Sequence, residues 1–197
     1  MGDPSRRGYT ARRPAARRRR FTTSEYHVML AEGILRPLER VELLAGEIFE
    51  APVVGSRHAG CVMRLTRWFC ERVGERAVVS IRSPVELSDL SQPEPDLALL
   101  APRDDFYSDR HPLAEEVLLL VEVADVSYDF DRRFKLGLYA QAGVREVWIV
   151  ALGADAVQVF RRPQGREYRI VRRARDRETV RPVALPGLEL TVAELLG

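Results

Sequence analysis

The sequence predicts an α/β fold with a mixed central sheet flanked by helices, and three observations carry that prediction. Residues 117–123, apolar but for one acid, and residues 147–151, apolar throughout, are short runs with the pattern of strands buried on both faces. Between them, residues 129–142 repeat at helical spacing, with Phe134, Leu138 and Ala142 on one face and Gly143 after the last turn. Strand, helix and strand in that order form a right-handed βαβ unit with parallel strands at the centre of a sheet.

The remaining elements follow from local chemistry. Thr22-Thr23-Ser24-Glu25 reads as a capping box opening a short helix that runs to about Glu32 and stops at Gly33. Residues 41–44 and 47–50 alternate around Ala45-Gly46, a hairpin signature. Val62, Leu65, Phe69 and Val73 recur at helical spacing over 57–73, ahead of Gly74. Residues 77–87 are rich in Val and Ile and predict one strand despite Pro84. Residues 96–100 predict a short apolar strand opened by Pro95. Residues 101–115 form one long polar connection. Residues 157–160 and 168–171 predict a hairpin, and 192–196 a last half-buried turn. No internal repeat is present.

Composition narrows the function classes. At 197 residues, 46% hydrophobic and 30% charged, the chain can bury one sizeable core. It has no apolar run of the roughly 18–20 residues that a membrane helix needs. No apolar segment follows the N-terminal arginines, so a secretory signal is not expected. Two cysteines, Cys61 and Cys70, suit neither a disulfide framework nor a zinc knuckle, which makes a reducing cytoplasm the expected setting. The formal charge of +2 conceals an asymmetry. Residues 1–20 hold eight arginines against one acid, Asp3, whereas the rest of the chain has more acids than bases. That basic segment reads as a disordered, solvated tail, or as an arm that neutralises phosphates without reading sequence; the domain spans 21–197.

Three residues suggest chemistry. Glu122 interrupts a central apolar strand, where an unpaired charge costs several kcal/mol. A salt bridge to arginine is one way to compensate it; a metal ion is another. Asp96 offers a second carboxylate at the start of another strand, and two carboxylates with carbonyl and water oxygens make the hard shell that Mg2+ or Mn2+ takes. Lys135 is the only lysine among 31 basic side chains. Lysine is a compact charge whose pKa can move, unlike that of arginine, so a lone lysine points to a position where the two are not interchangeable. Strand parity puts Ala124 on the same face as Glu122 but gives no cation there. Lys135 lies two turns into the following helix, from which its stem can reach that space. Asp131, four residues earlier, offers the alternative of a surface Asp–Lys pair.

The segments Pro93-Glu-Pro-Asp-Leu-Ala-Leu-Leu, Leu119-Leu-Val-Glu-Val-Ala-Asp-Val-Ser and Asp131-Arg-Arg-Phe-Lys-Leu-Gly-Leu-Tyr-Ala-Gln-Ala-Gly-Val-Arg-Glu-Val-Trp-Ile-Val together resemble the Uma-type restriction endonuclease family of the PD-(D/E)XK nuclease superfamily. Arg40-Val-Glu-Leu-Leu-Ala-Gly-Glu-Ile, Gly55-Ser-Arg-His and Leu185-Pro-Gly-Leu-Glu-Leu extend the resemblance over about residues 21–197. It implies the restriction-endonuclease-like fold and a Mg2+- or Mn2+-dependent DNA endonuclease without an organic cofactor. It implies Asp96, Glu122 and the Val123 carbonyl as metal ligands, and a catalytic lysine moved from position 124 to Lys135. Glu42 and His58 fall on recurrent family positions as possible auxiliaries: Glu42 as a third carboxylate or a hairpin acid, His58 as a phosphate contact, proton carrier or packing residue. Expected partners are DNA and a second copy of the chain, since duplex cleavage needs two centres. Two alternatives remain open at this point: a non-catalytic nucleic-acid-binding or interaction module, suggested by Ala124 and the acidic domain, and a hydrolase of RNA or another phosphodiester.

Overall fold

The computed structural model describes residues 17–36, 40–125 and 128–197. Most of the basic tail, residues 1–16, therefore lies outside the described residues. Arg18 and Arg19 at its end ion-pair with Glu47 and Glu25 of the domain.

Helix α1 (Thr23–Ala31) begins with the expected capping box, in which Thr22 accepts from the Glu25 N–H and Glu25 accepts from the Thr22 N–H. Strands β1 (Val41–Leu44) and β2 (Glu47–Glu50) form the predicted antiparallel hairpin. Its two-residue turn needs positive φ at both positions, 52° at Ala45 and 80° at Gly46. A side chain at 46 would also collide with Arg20, whose Cβ lies 2.5 Å from where a Cβ would stand. The amphipathic helix α2 (Ser56–Val73) buries Cys61, Val62, Leu65, Phe69 and Val73.

The six-stranded sheet has the order β3-β4-β5-β6-β7-β8, built from β3 (Val78–Ser80), β4 (Leu97–Leu100), β5 (Val117–Ala124), β6 (Glu146–Ala151), β7 (Ala156–Gln164) and β8 (Glu167–Arg175). The β5–β6 pair is parallel and its neighbours antiparallel, so the sheet is mixed and the two apolar runs lie at its centre. One face packs against α2 and the C-terminal helix α5 (Val192–Leu196), with Phe69, Val121, Trp148 and Val159 in that core. The other packs against the helix after β5 through Leu120, Ile149, Leu136 and Tyr139. A minor pair, β9 (Thr179–Val180) and β10 (Leu190–Thr191), precedes α5.

Two expectations need correction. The strand predicted over 77–87 joins the six-stranded sheet only at Val78–Ser80, with an isolated bridge from Glu86 to Leu113 beyond it. Arg82 adopts φ 46° and Pro84 lacks an N–H, so the chain leaves the ladder; Val85 is buried in an irregular segment instead. The helix predicted over 129–142 is not uniform. It starts as α3 (Tyr128–Phe130), widens into a π-helical turn (Asp131–Lys135) and continues as α4 (Leu136–Gln141). The extra residue in the turn shifts the helical phase, so Leu136, Tyr139 and Ala140 enter the core while Phe134 and Ala142 are half-buried.

Candidate active site

The sheet places two acids opposite each other. Leu97 pairs with Val121 in the antiparallel β4–β5 ladder. Continuing that register past Leu97 sets Asp96 against Glu122, on the face that carries Ala98 and Leu120. Both side chains line a cavity of about 510 Å³ at this end of the sheet, walled by the β1–β2 hairpin, the start of α2 and the π-helical turn.

Helix α2 and strand β5 fix Asp96. His58 Nε2 lies 3.0 Å from Asp96 Oδ2, which also accepts the Val123 N–H at 2.9 Å. Arg82 donates to Oδ1 at 3.4 Å. Burial works against the Asp96 charge, but His58, the Val123 N–H and Arg82 together outweigh it and hold the carboxyl below its ordinary range. His58 Nδ1 is buried and has no hydrogen-bond partner among the described residues.

Glu122 is held differently. Its Oε1 lies 2.9 Å from Lys135 Nζ and accepts the Tyr139 hydroxyl at 2.5 Å. Lys135 also donates to Glu42 Oε1 at 3.0 Å. Lys135 closes the π-helical turn, from which its side chain reaches both acids. The lysine is buried and bridges two buried acids, so the surface Asp131–Lys135 pair considered from sequence is not its environment. Asp131 is itself buried beside it. Burial pushes Glu122 up to about 8; Asp131, Asp96 and Glu42 add repulsion that Lys135 only partly offsets. Burial also opposes the Lys135 charge, but Glu122, Glu42 and Asp131 outweigh it and keep the ammonium protonated. Tyr139, desolvated and surrounded by carboxylates, is held as a neutral phenol.

Glu42 projects from the hairpin, accepts the Glu94 N–H at 2.9 Å and so ties β1 to the loop before Asp96. Burial and the Glu42 carboxylate push Glu94 upward. Glu94 lines the cavity; Gln92 instead bonds His27 at 2.8 Å outside it.

All five side chains singled out from the sequence, Glu42, His58, Asp96, Glu122 and Lys135, therefore line one cavity. Tyr139, Arg82, Phe49 and Phe130 were not singled out. Tyr139 follows Lys135 at i+4, a spacing from which it could have been found. Arg82 emerges only from the left-handed backbone that ends β3.

Among the described residues, no group of three or more His, Cys, Asp or Glu side chains forms a ready metal cage. The donor set nonetheless suits a hard cation: Asp96, Glu122 and a nearby backbone carbonyl are oxygen donors, and Mg2+ usually takes one or two carboxylates and fills its other positions with water and substrate oxygens. No helix among the described residues is long and apolar enough to cross a membrane.

The sequence matches the family Uma2, described as "Putative restriction endonuclease", over residues 23–193. No curated protein matches it. Among solved structures, one from Anabaena variabilis described as "a putative nuclease belonging to DUF820" aligns with a TM-score of 0.70 at 14% identity, over 89% of this chain and 97% of that one. At that identity the likeness establishes the fold, which is the α/β architecture expected from the sequence.

Proposed function

From the premise that this chain belongs to the Uma2 restriction endonuclease family, we propose that it is a divalent-cation-dependent endonuclease that hydrolyses DNA phosphodiesters in the cavity at the end of β5. One observation carries the reading: the only lysine of the chain is buried 2.9 Å from Glu122 and 3.0 Å from Glu42, beside Asp96. A buried ammonium facing several carboxylates is an assembly that folding alone does not need. Ion pairs in protein interiors roughly break even against apolar packing.

Asp96, Glu122 and the Val123 carbonyl would hold Mg2+ or Mn2+, and such a cation supplies charge neutralisation at the phosphate and a lowered water pKa. The chain's own groups do the rest. His58 and the Val123 N–H orient Asp96 and keep it ionised. Tyr139 and Lys135 orient Glu122. The reaction joins a water oxygen to phosphorus and breaks the bond to one ester oxygen. The water gives up a proton to solvent, and the leaving oxygen takes one up. Lys135 stands where negative charge develops on the phosphate and donates to it, the role of the superfamily lysine that Ala124 cannot fill. In the free protein Glu42 holds this ammonium in place.

The test is a plasmid nicking assay with and without Mg2+ or Mn2+ on wild type, Glu122→Ala and Lys135→Ala. The expected result is cation-dependent nicking by the wild type alone. Nicking that survives both substitutions contradicts the assigned site, and nicking by none of the proteins favours a binding module on the same fold.

A further inference from the structure

We infer that the cavity takes one unpaired nucleotide, its phosphate beside Asp96 and Glu122 and its base against a wall formed by Phe49 and Phe130. This inference rests on the nuclease reading above and names the form of nucleic acid that the site accepts.

The acids and the lysine lie deep in the cavity. Glu122 is 4% exposed, Lys135 5%, Glu42 7% and Asp96 8%. A phosphodiester in continuous duplex is tied to its complement and reaches groups so recessed less readily than one in an unpaired strand. The cavity, at about 510 Å³, falls within the roughly 300–1,000 Å³ of pockets that engulf a single small molecule. A nucleotide drawn out of its stack fits such a space, and extracting it costs least when it is already unpaired.

Hairpin and helix together build an aromatic wall beside the acids. Phe49 stands opposite Glu42 in the hairpin register, so one face of the hairpin presents a carboxylate beside a ring. The helix repeats the arrangement. Asp131 and Lys135 form one i,i+4 row, and Phe130 and Phe134 form the adjacent row. The Phe49 ring centroid lies 5.3 Å from that of Phe130 and 5.4 Å from that of Phe134. Phe130 and Phe134 stack at 5.3 Å. Phe49 and Phe130 line the cavity, and Phe134 buttresses them without lining it. The charged rows meet at the carboxylates and the aromatic rows meet beside them. A nucleotide, with a charged end and a flat apolar end, has this division of chemistry. Aromatic faces bind any base, since every base has a π-face.

The cavity lining also carries apolar and cationic side chains away from the acids. Pro52, Val53 and Val54 line the cavity mouth, and Val53 is 95% exposed, an apolar side chain that the core does not use. Arg40 and Arg82 also line the cavity and provide cations for the phosphates flanking the bound nucleotide.

The experiment compares three oligonucleotides of one sequence on the full chain with Mn2+: a single strand, a duplex with a central unpaired loop and a perfect duplex. The expected kcat/KM for both unpaired substrates exceeds that for the perfect duplex by about tenfold or more. In parallel, 2-aminopurine at the unpaired position reports stacking with Ca2+ in place of Mn2+. Its fluorescence change on binding should persist in Phe49→Tyr and disappear when Phe49→Leu and Phe130→Leu are combined. Val53→Asp, at a position the fold does not need, should weaken binding of the unpaired strand about fivefold and keeps the test valid if the double variant fails to fold. Equal cleavage of the perfect duplex overturns the inference, and so does unchanged affinity in Val53→Asp. A stacking signal that depends on the two rings, with no cleavage of any substrate, supports the nucleotide site while overturning the nuclease reading.

Discussion

Glu122 and Glu146 stand on adjacent central strands, both buried, yet their surroundings differ in kind. Glu146 is saturated by fixed donors: Oε1 accepts Trp148 Nε1 at 2.7 Å and Arg161 at 2.8 and 3.0 Å, and Oε2 accepts the Val183 N–H at 2.7 Å. Its donors all come from the sheet and the segment between β9 and β10, so it fastens that segment to β6. Glu122 faces a cavity, shares a single ammonium with Glu42 and is crowded by Asp96 and Asp131. A buried acid whose needs are met within the fold is architecture; one left in a surplus of negative charge beside open space is prepared to meet a cation from outside.

Substitutions should separate the two glutamates. Glu122→Ala is expected to reduce DNA cleavage by about 10³-fold or more, and Lys135→Ala by about 10²- to 10³-fold, in single-turnover assays, the scale of losing a charge-stabilising group. Glu146→Ala should leave the cleavage rate of the folded fraction unchanged while costing about 3 kcal/mol, since it strands Arg161 and the Val183 N–H. In a chain of this size that lowers Tm by about 10 °C in a thermal melt.

The next contrast is in pH. Glu122 is lifted to about 8 in the folded protein, well above a carboxyl in the unfolded chain. Its folded pKa exceeds its unfolded one, so the folded state binds more protons between those values. The associated stability is present at low pH and is lost as pH rises toward 8. Glu122→Gln removes that loss and is expected to raise Tm at pH 8 by about 5 °C relative to wild type, with little change at pH 4. Cation binding needs the ionised form, so wild-type cleavage should climb from pH 6 toward 9. The smallest effect is that of Tyr139→Phe. Losing its hydrogen bond should cost about 1 kcal/mol and move the rising limb of the pH–rate profile to higher pH, because the hydroxyl donates to the ionised carboxylate.

Much of the fold was legible because local and global signals agree. The Thr22–Glu25 capping box, the Ala45-Gly46 turn and the two apolar central strands each formed where the sequence placed them. The 77–87 segment misled because β-branched content suggested pairing, whereas Pro84 and the left-handed Arg82 decided it. The π-helical turn that ends at Lys135 leaves no mark in periodicity over one helix. Glu122, Asp96 and Lys135 were legible as anomalies: an acid in an apolar strand, an acid opening another and a lone lysine. Tyr139 and the aromatic wall were not, because a tyrosine and three phenylalanines at helix and hairpin spacings read equally well as core. Only the register of Glu42 against Phe49 reveals that the rings stand beside the acids.

The central claim is that Lys135 does the chemistry over a cation site that Asp96 and Glu122 hold without it. The direct measurement is Mn2+ binding by titration calorimetry together with single-turnover cleavage on Lys135→Ala. Mn2+ binding should be retained or tightened, since a competing ammonium is gone, while cleavage falls by about 10²-fold or more. Cleavage at the wild-type rate with Mn2+ still bound would contradict the claim.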